Sequence, residues 1–131
     1  MIINQSILDK ITEDAKVNPW LRQSFDLRTN NMVQSQRVLN AIEPGSRFPI
    51  HRHQKTSETI ACLRGRLVVE FYDESERICI ERVELEPGGV NVAVNIPLGL
   101  WHSVYALESG TVLLEAKDGR YEPLGPEDIL E

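Results

Sequence analysis

The chain has 131 residues, 41% hydrophobic and 26% charged, with a formal net charge of −6. That mix supports one folded core and excludes a disordered chain, and the acidic balance repels phosphate backbones, so nucleic acid is not an expected partner. No apolar run approaches the roughly 20 residues that a membrane span needs, and Cys62 and Cys79 form neither a C-x-x-C pair nor a disulfide framework.

The N-terminal stretch, Met1-Ile2-Ile3-Asn4-Gln5, has no basic segment followed by a long apolar one, from which a cytoplasmic protein is expected. A helix follows. Ser6 can cap it, with Asp9 at the third helical position in the manner of a capping box. Ile7, Leu8, Ile11 and Ala15 fall on one face at helical spacing, and Asn18-Pro19 stops the helix. From Gln36 the character changes to short runs of Val, Ile, Leu, Phe and Tyr between turns. Gln36–Ile42 is one strand, stopped by Glu43-Pro44-Gly45. Leu67–Tyr72 is another and runs into the polar turn Asp73-Glu74-Ser75-Glu76. Arg77–Leu85 comes next, with a slip of phase between Ile80 and Val83 that marks a β-bulge. After Glu86-Pro87-Gly88-Gly89, the residues Val90, Val92, Val94 and Ile96 alternate with Asn91, Ala93 and Asn95, the period of a strand with one buried face. Leu100–Leu107 and Thr111–Ala116 complete the set. Many strands joined by short turns predict an all-β antiparallel sandwich or barrel. The chain reads as a single domain, with a helix and arm over 1–35, a barrel over 36–118 and a C-terminal surface arm over 119–131.

The chemistry gathers on the histidines, of which there are three: His51, His53 and His102. In His51-Arg52-His53 the two imidazoles are i and i+2, so in a strand they face the same side. Glu58 follows after enough chain to turn and begin the next strand. His102 sits beyond Pro97-Leu98-Gly99 and shares a face with Leu100, Val104 and Ala106, an apolar interior. Three imidazoles and a carboxylate suit one divalent ion of the Fe, Zn, Ni, Mn, Co or Cu kind. An octahedral ion held by four protein ligands keeps two positions for water, oxygen or a bidentate substrate. On its own, an H-x-H pair is more often plain surface; the frame around it raises its weight.

That frame resembles the cupin superfamily. Gly45-x5-His51-x-His53-x4-Glu58-x6-Gly65 matches the first cupin motif at every fixed position, and Pro97-x-Gly99-x2-His102 matches the core of the second. The second motif departs at two places: Gly89 lies two residues further from Pro97 than usual, and Ala106 stands in place of asparagine. Within the superfamily the order of elements is similar to that of WbuC-type cupin fold metalloproteins. The likeness runs through Asn18-Pro19-Trp20-Leu21-Arg22, the H-R-H segment, the Pro-x-Gly-x-Trp-His turn, and Glu115-Ala116-Lys117-Asp118-Gly119-Arg120-Tyr121. Arg120 stands where that family has proline. The resemblance implies a double-stranded β-helix (jelly-roll) barrel with a short N-terminal helix. It also implies a metal held by His51, His53, Glu58 and His102, a homodimer, and a loose association with bacterial polysaccharide biosynthesis.

Four further residues are candidates for binding a ligand. Arg47 shares strand parity with His51 and His53, and Arg37 shares a face with Leu39 and Ala41; each is placed either in the cavity or in solvent at its rim. Lys117 and Tyr121 could line the mouth of the barrel, a solvated hairpin end being the bland alternative. Trp101 alternates with His102 and should face away from the metal. Cys62 lies about 13 Å along the strand from Glu58 at the usual rise, too far to share its ion, and reads as buried packing. Three functions follow. The first is a metal-dependent enzyme acting on a small polar molecule such as a carbohydrate derivative. The second is a non-catalytic, metal-anchored binding or regulatory module, motivated by the lack of a spare histidine for proton transfer. The third is a metal-free sugar epimerase, against which the metal-like spacing of the histidines argues.

Overall fold

The computed structural model of the protein describes residues 1–75 and 77–130. Glu76 of the predicted turn and Glu131 at the end of the arm lie outside the described residues.

Helix α1 spans Gln5–Val17 and is capped by Asn4, whose side-chain oxygen accepts from the Ile7 N–H. Ser6, the expected cap, lies inside the first turn. Asn4 takes the cap because its extended backbone (φ −132°, ψ 178°) frees its side chain to turn back on the helix. The strands are β1 (Arg22–Asp26), β2 (Ser35–Ile42), β3 (Ile50–His51), β4 (Glu58–Arg64), β5 (Leu67–Tyr72), β6 (Cys79–Leu85), β7 (Ala93–Ile96), β8 (Trp101–Ala106), β9 (Thr111–Asp118) and β10 (Ile129–Leu130). They form two five-stranded antiparallel sheets, ordered β1-β2-β9-β4-β7 and β10-β3-β8-β5-β6.

Alternation along each strand sorts the side chains into layers. Ile42, Ile60 and Leu113 from the first sheet meet Leu67, Val69, Phe71, Leu85, Val104 and Ala106 from the second, and this is the barrel core. The opposite face of the first sheet presents Leu39, Ala41 and Val112, which α1 covers with Leu8, Ile11 and Ala15. Arg64 fastens the helix there, donating to Gln5, Asp9 and Thr12 and to the Gly110 carbonyl. The expected bulge in β6 is present. Phe71 pairs with Glu81 and Tyr72 with Cys79, so Ile80 is the extra residue.

The expected strand over 90–96 is shortened. It begins at Ala93, and Val90 is fully exposed. The Glu86–Gly89 turn reaches further along the chain, because the Glu86 N–H bonds to the Asn91 carbonyl and ties 90–91 into the loop. Both terminal segments contribute a strand: β1 extends the first sheet beyond β2, and β10 extends the second beyond β3. Neither has a hydrophobic alternation of its own, and each is made by pairing to a neighbour. No helix among the described residues is long and apolar enough to cross a membrane.

Candidate metal centre

The two sheets bring four side chains from distant positions to one end of the barrel. His51 on β3 pairs directly with His102 on β8. His53 follows two residues on, facing the same way. Glu58 opens β4 on the opposing sheet. One ligand atom from each of these four residues lies within 4.8 Å of every other. Donors bound to one ion at about 2.1 Å stand at most about 4.2 Å apart, so the four atoms are gathered to nearly the scale of one coordination sphere.

The hydrogen bonds around the rings aim them. His51 Nδ1 is 2.8 Å from the Pro49 carbonyl, and His102 Nδ1 is 2.9 Å from the Leu100 carbonyl. Each of these nitrogens carries the proton that the carbonyl accepts, which leaves Nε2 with a free lone pair. His102 Nε2 nevertheless sits 2.7 Å from Glu58 Oε1. Only a second proton on that ring, or a cation in its place, lets the two atoms approach so closely. His53 Nε2 is buried without a hydrogen-bond partner among the described residues, 3.7 Å from the same carboxylate oxygen. A cation placed among these atoms would stand between His102 Nε2 and the carboxylate and give His53 Nε2 a partner, so the residues present fit a metal ion.

The charges agree with this fit. Burial, then the neighbouring His102, holds His51 down to about 4, and burial, then Lys117, does the same for His53. Both imidazoles are therefore neutral, as ligands must be. Burial by itself would raise the Glu58 carboxyl, but the hydrogen bond with His102 and the charge of Lys117 outweigh it and bring it to about 2. Glu58 is thus an anion. Its Oε1 faces the histidines, while Oε2 lies 3.8 Å from Lys117 Nζ.

Lys117 and Glu115 project from β9 beside this group. Lys117 Nζ is 3.1 Å from Glu115 Oε1, and Asn40 Nδ2 donates to Glu115 Oε2 at 3.3 Å. Burial pushes the Glu115 carboxyl up, opposed by Lys117. Glu115 is the acid that sequence reasoning missed. A glutamate is no signal in an acidic chain, and its cues were its place in the Glu115–Tyr121 run and its sharing of the β9 face with Leu113 and Lys117.

Above the four side chains opens a polar cleft of about 1220 Å³, whose walls include Gln36, Asn40, Gln54, Lys117 and Tyr121. Phe48, Asn40 and Glu115 also border the smaller cavity of about 60 Å³ that leads down to Glu58 and His102. Arg37 and Arg47 are exposed and do not line the cleft. Arg37 shares the β2 face of Leu39 and Ala41, which is the outer face under α1. Arg47 lies in the irregular segment before β3, where strand parity does not hold, and its carbonyl accepts from Arg22 Nη1. Trp101 faces away from the centre and is buried on the back of the second sheet under the Arg52 guanidinium, 4.6 Å from its ring centroid. Cys62 is buried and Cys79 exposed, both as free thiols.

Comparison with known proteins gives a family and a fold. A family model described as "Domain of unknown function (DUF6016)" matches residues 3–85. No curated protein matches the sequence significantly. Among solved structures, TT1209 from Thermus thermophilus is similar at TM-score 0.65 and 21% identity, over 92% of this chain and 98% of that one. KdgF from Halomonas sp. is similar at TM-score 0.63 and 21% identity, over 80% and 85% of the two chains. Recombinant oxalate oxidase in complex with glycolate matches at TM-score 0.60 and 18% identity, over 82% of this chain but 55% of that one. At these identities the likeness is one of fold.

Proposed function

We propose, for a chain that belongs to the family described as "Domain of unknown function (DUF6016)" and has the cupin fold, that it holds one divalent metal ion through His51, His53, Glu58 and His102 and acts as a metal-dependent enzyme on a small polar molecule. The observation that carries the reading is the gathering of three imidazoles and one carboxylate where the wide polar cleft, bordered by His51 and His53, meets the smaller cavity bordered by Glu58 and His102. Fe, Zn, Ni, Mn, Co and Cu all suit such ligands. When bound, the ion supplies Lewis acidity and open positions at which an oxygen-bearing ligand can coordinate.

The chain's own residues suit a hydroxylated, carbohydrate-derived ligand or a small hydroxy acid. Amides from Gln36, Asn40 and Gln54 offer both donors and acceptors around the cleft, and Lys117 and Tyr121 add an ammonium and a phenol. Oxalate oxidase, of the same fold, has been seen with glycolate, itself a small hydroxy acid. Glu115, held between Asn40 and Lys117 at the passage to the centre, is the group placed to give or take a proton. Its presence removes the main reason for preferring a non-catalytic module. The WbuC-type kinship, the link to polysaccharide biosynthesis and a homodimer belong to this same reading. The exposed edge strand β1, with Phe25 and the nearby Trp20 open to solvent, supports pairing of two copies.

The test is a panel of uronic acids, aldoses and short hydroxy acids offered to metal-loaded and chelator-stripped protein, with products followed by NMR. Conversion by the loaded form alone is the expected result. Ligands that bind the loaded protein and return unchanged would establish the binding-module alternative instead. Equal behaviour of both forms across the panel would remove the metal from the function.

A further inference from the structure

Arg52 lies between two of the four proposed metal ligands in sequence and borders the cleft, yet its side chain turns away from them onto Trp101. There its guanidinium is stacked 4.6 Å from the centroid of Trp101, the residue preceding His102. Its Nε donates to Asp128 Oδ1 at 3.0 Å, and its backbone N–H donates to the Asp128 carbonyl at 3.1 Å. Gln54 donates to the same Asp128 oxygen at 2.5 Å. Asp128 in turn leads into β10, whose Ile129 pairs with His51. The arm that carries Asp128 also forms one wall of the cleft, through Tyr121, Pro123, Leu124 and Gly125.

β3 is only two residues long, and its ladder to β8 consists of the His51–His102 pair. Beyond it, the backbone adds one bond on this side, from the Gly99 N–H to the His53 carbonyl at 2.9 Å, and backbone bonds alone do not set the direction of two imidazoles. We propose that Arg52 is a positioning residue: stacked on Trp101 and paired with Asp128, it locks the His51–His53 segment to the His102 strand on one side and to the C-terminal arm on the other. The clamp pre-sets the spacing of the three histidines and seats the wall of the cleft above them. This inference rests on the reading of those histidines as metal ligands. A stacked, partly shielded guanidinium contributes more than a solvent-exposed one, and lysine reproduces its charge without its planar fork.

Metal affinity, measured by competition with a chromophoric chelator using Zn2+ and Co2+, tests the clamp. Arg52→Ala is expected to lose about tenfold or more in affinity, the low end of what outer partners of metal ligands contribute. The Co2+ absorption spectrum should shift as the histidines lose their fixed directions. Asp128→Asn removes one half of the clamp with little change in size and should weaken binding in the same direction, and Arg52→Lys should recover only part of the loss. Arg47→Ala, a change at an exposed arginine, should match the wild type. Wild-type affinity and spectrum in a folded Arg52→Ala and in Asp128→Asn would overturn the clamp while leaving the metal centre standing. A wild-type protein that takes up neither ion would overturn the centre and the clamp together.

Discussion

Nε2 of His102 lies 2.7 Å from Oε1 of Glu58, while the other nitrogen of the same ring is committed to the Leu100 carbonyl. Two strands from opposite sheets thus press an imidazole nitrogen against a carboxylate, a contact that a proton or a shared cation can bridge. Replacing Glu58 by Gln keeps the shape and removes the negative charge. Glu58→Gln is expected to lower affinity for Zn2+ by well over tenfold, since even partners one step removed from a ligand contribute about 10- to 100-fold. Titration calorimetry reads the change, and an unaltered affinity would take Glu58 out of the ligand set.

The metal-free protein should lose stability in acid over a defined range. His51 and His53 titrate at about 4 in the fold, against 6.5 ordinarily, so the unfolded chain binds more protons between those values. Stability therefore falls as pH drops from about 6.5 to about 4. Glu58 acts in the same direction: its contribution is present above its ordinary 4.5 and is lost as pH falls toward about 2. Thermal melts of chelator-treated protein should show a lower Tm at pH 5 than at pH 7.5. A flat profile over that range would mean that the histidines are not buried together.

Arg64 joins α1 to the sheet through three hydrogen bonds, one of them to the Asp9 carboxylate at 2.7 Å, and donates a fourth to the Gly110 carbonyl. Arg64→Ala should destabilise the fold by about 2 kcal/mol, in the range for hydrogen bonds to charged groups. The metal ligands lie in the barrel, away from the helix, so metal stoichiometry should be unchanged. Denaturant unfolding of the loaded protein, together with elemental analysis, checks both halves of the expectation.

Gly65, the last fixed position of the first motif, has a structural cause. Its φ is +81°, and an added Cβ would stand 2.7 Å from the Cα of Thr111. Backbone cannot move aside as a flexible side chain can. Gly65→Ala is expected to destabilise by about 2 kcal/mol or more, combining left-handed strain with overpacking. A melt within a degree of the wild type would contradict it.

Glu115→Gln separates chemistry from binding. Glu115 is outside the four-residue group, so the variant should keep its metal, while any turnover found in the substrate panel should fall by the 10²- to 10⁴-fold typical of a lost general acid or base, roughly. Retained turnover would assign the proton transfer elsewhere.

The sequence carried the layers well because period-2 alternation reports directly which face of a strand is buried. Alternation puts Leu100, His102, Val104 and Ala106 on one inward face, and His102, Val104 and Ala106 are buried there. His51 and His53 also come to one side, although β3 ends at His51 and His53 lies beyond it. Features that arise by pairing across the chain were not legible. β1 and β10 have no pattern of their own, and β3 is too short to show one. The Arg52–Asp128 contact joins residues 76 positions apart and leaves no local trace. Val90 and Val92 show the opposite failure, where a strict alternation met a turn that kept Val90 in solvent.

The central claim is that His51, His53, Glu58 and His102 share one ion. A crystal structure of metal-replete protein, with anomalous data on both sides of the metal's absorption edge, measures this most directly. The account predicts one anomalous peak per chain, at about 2.0–2.3 Å from a nitrogen of each histidine and an oxygen of Glu58. A peak elsewhere on the chain, or none at this place in protein saturated with the ion, would contradict it.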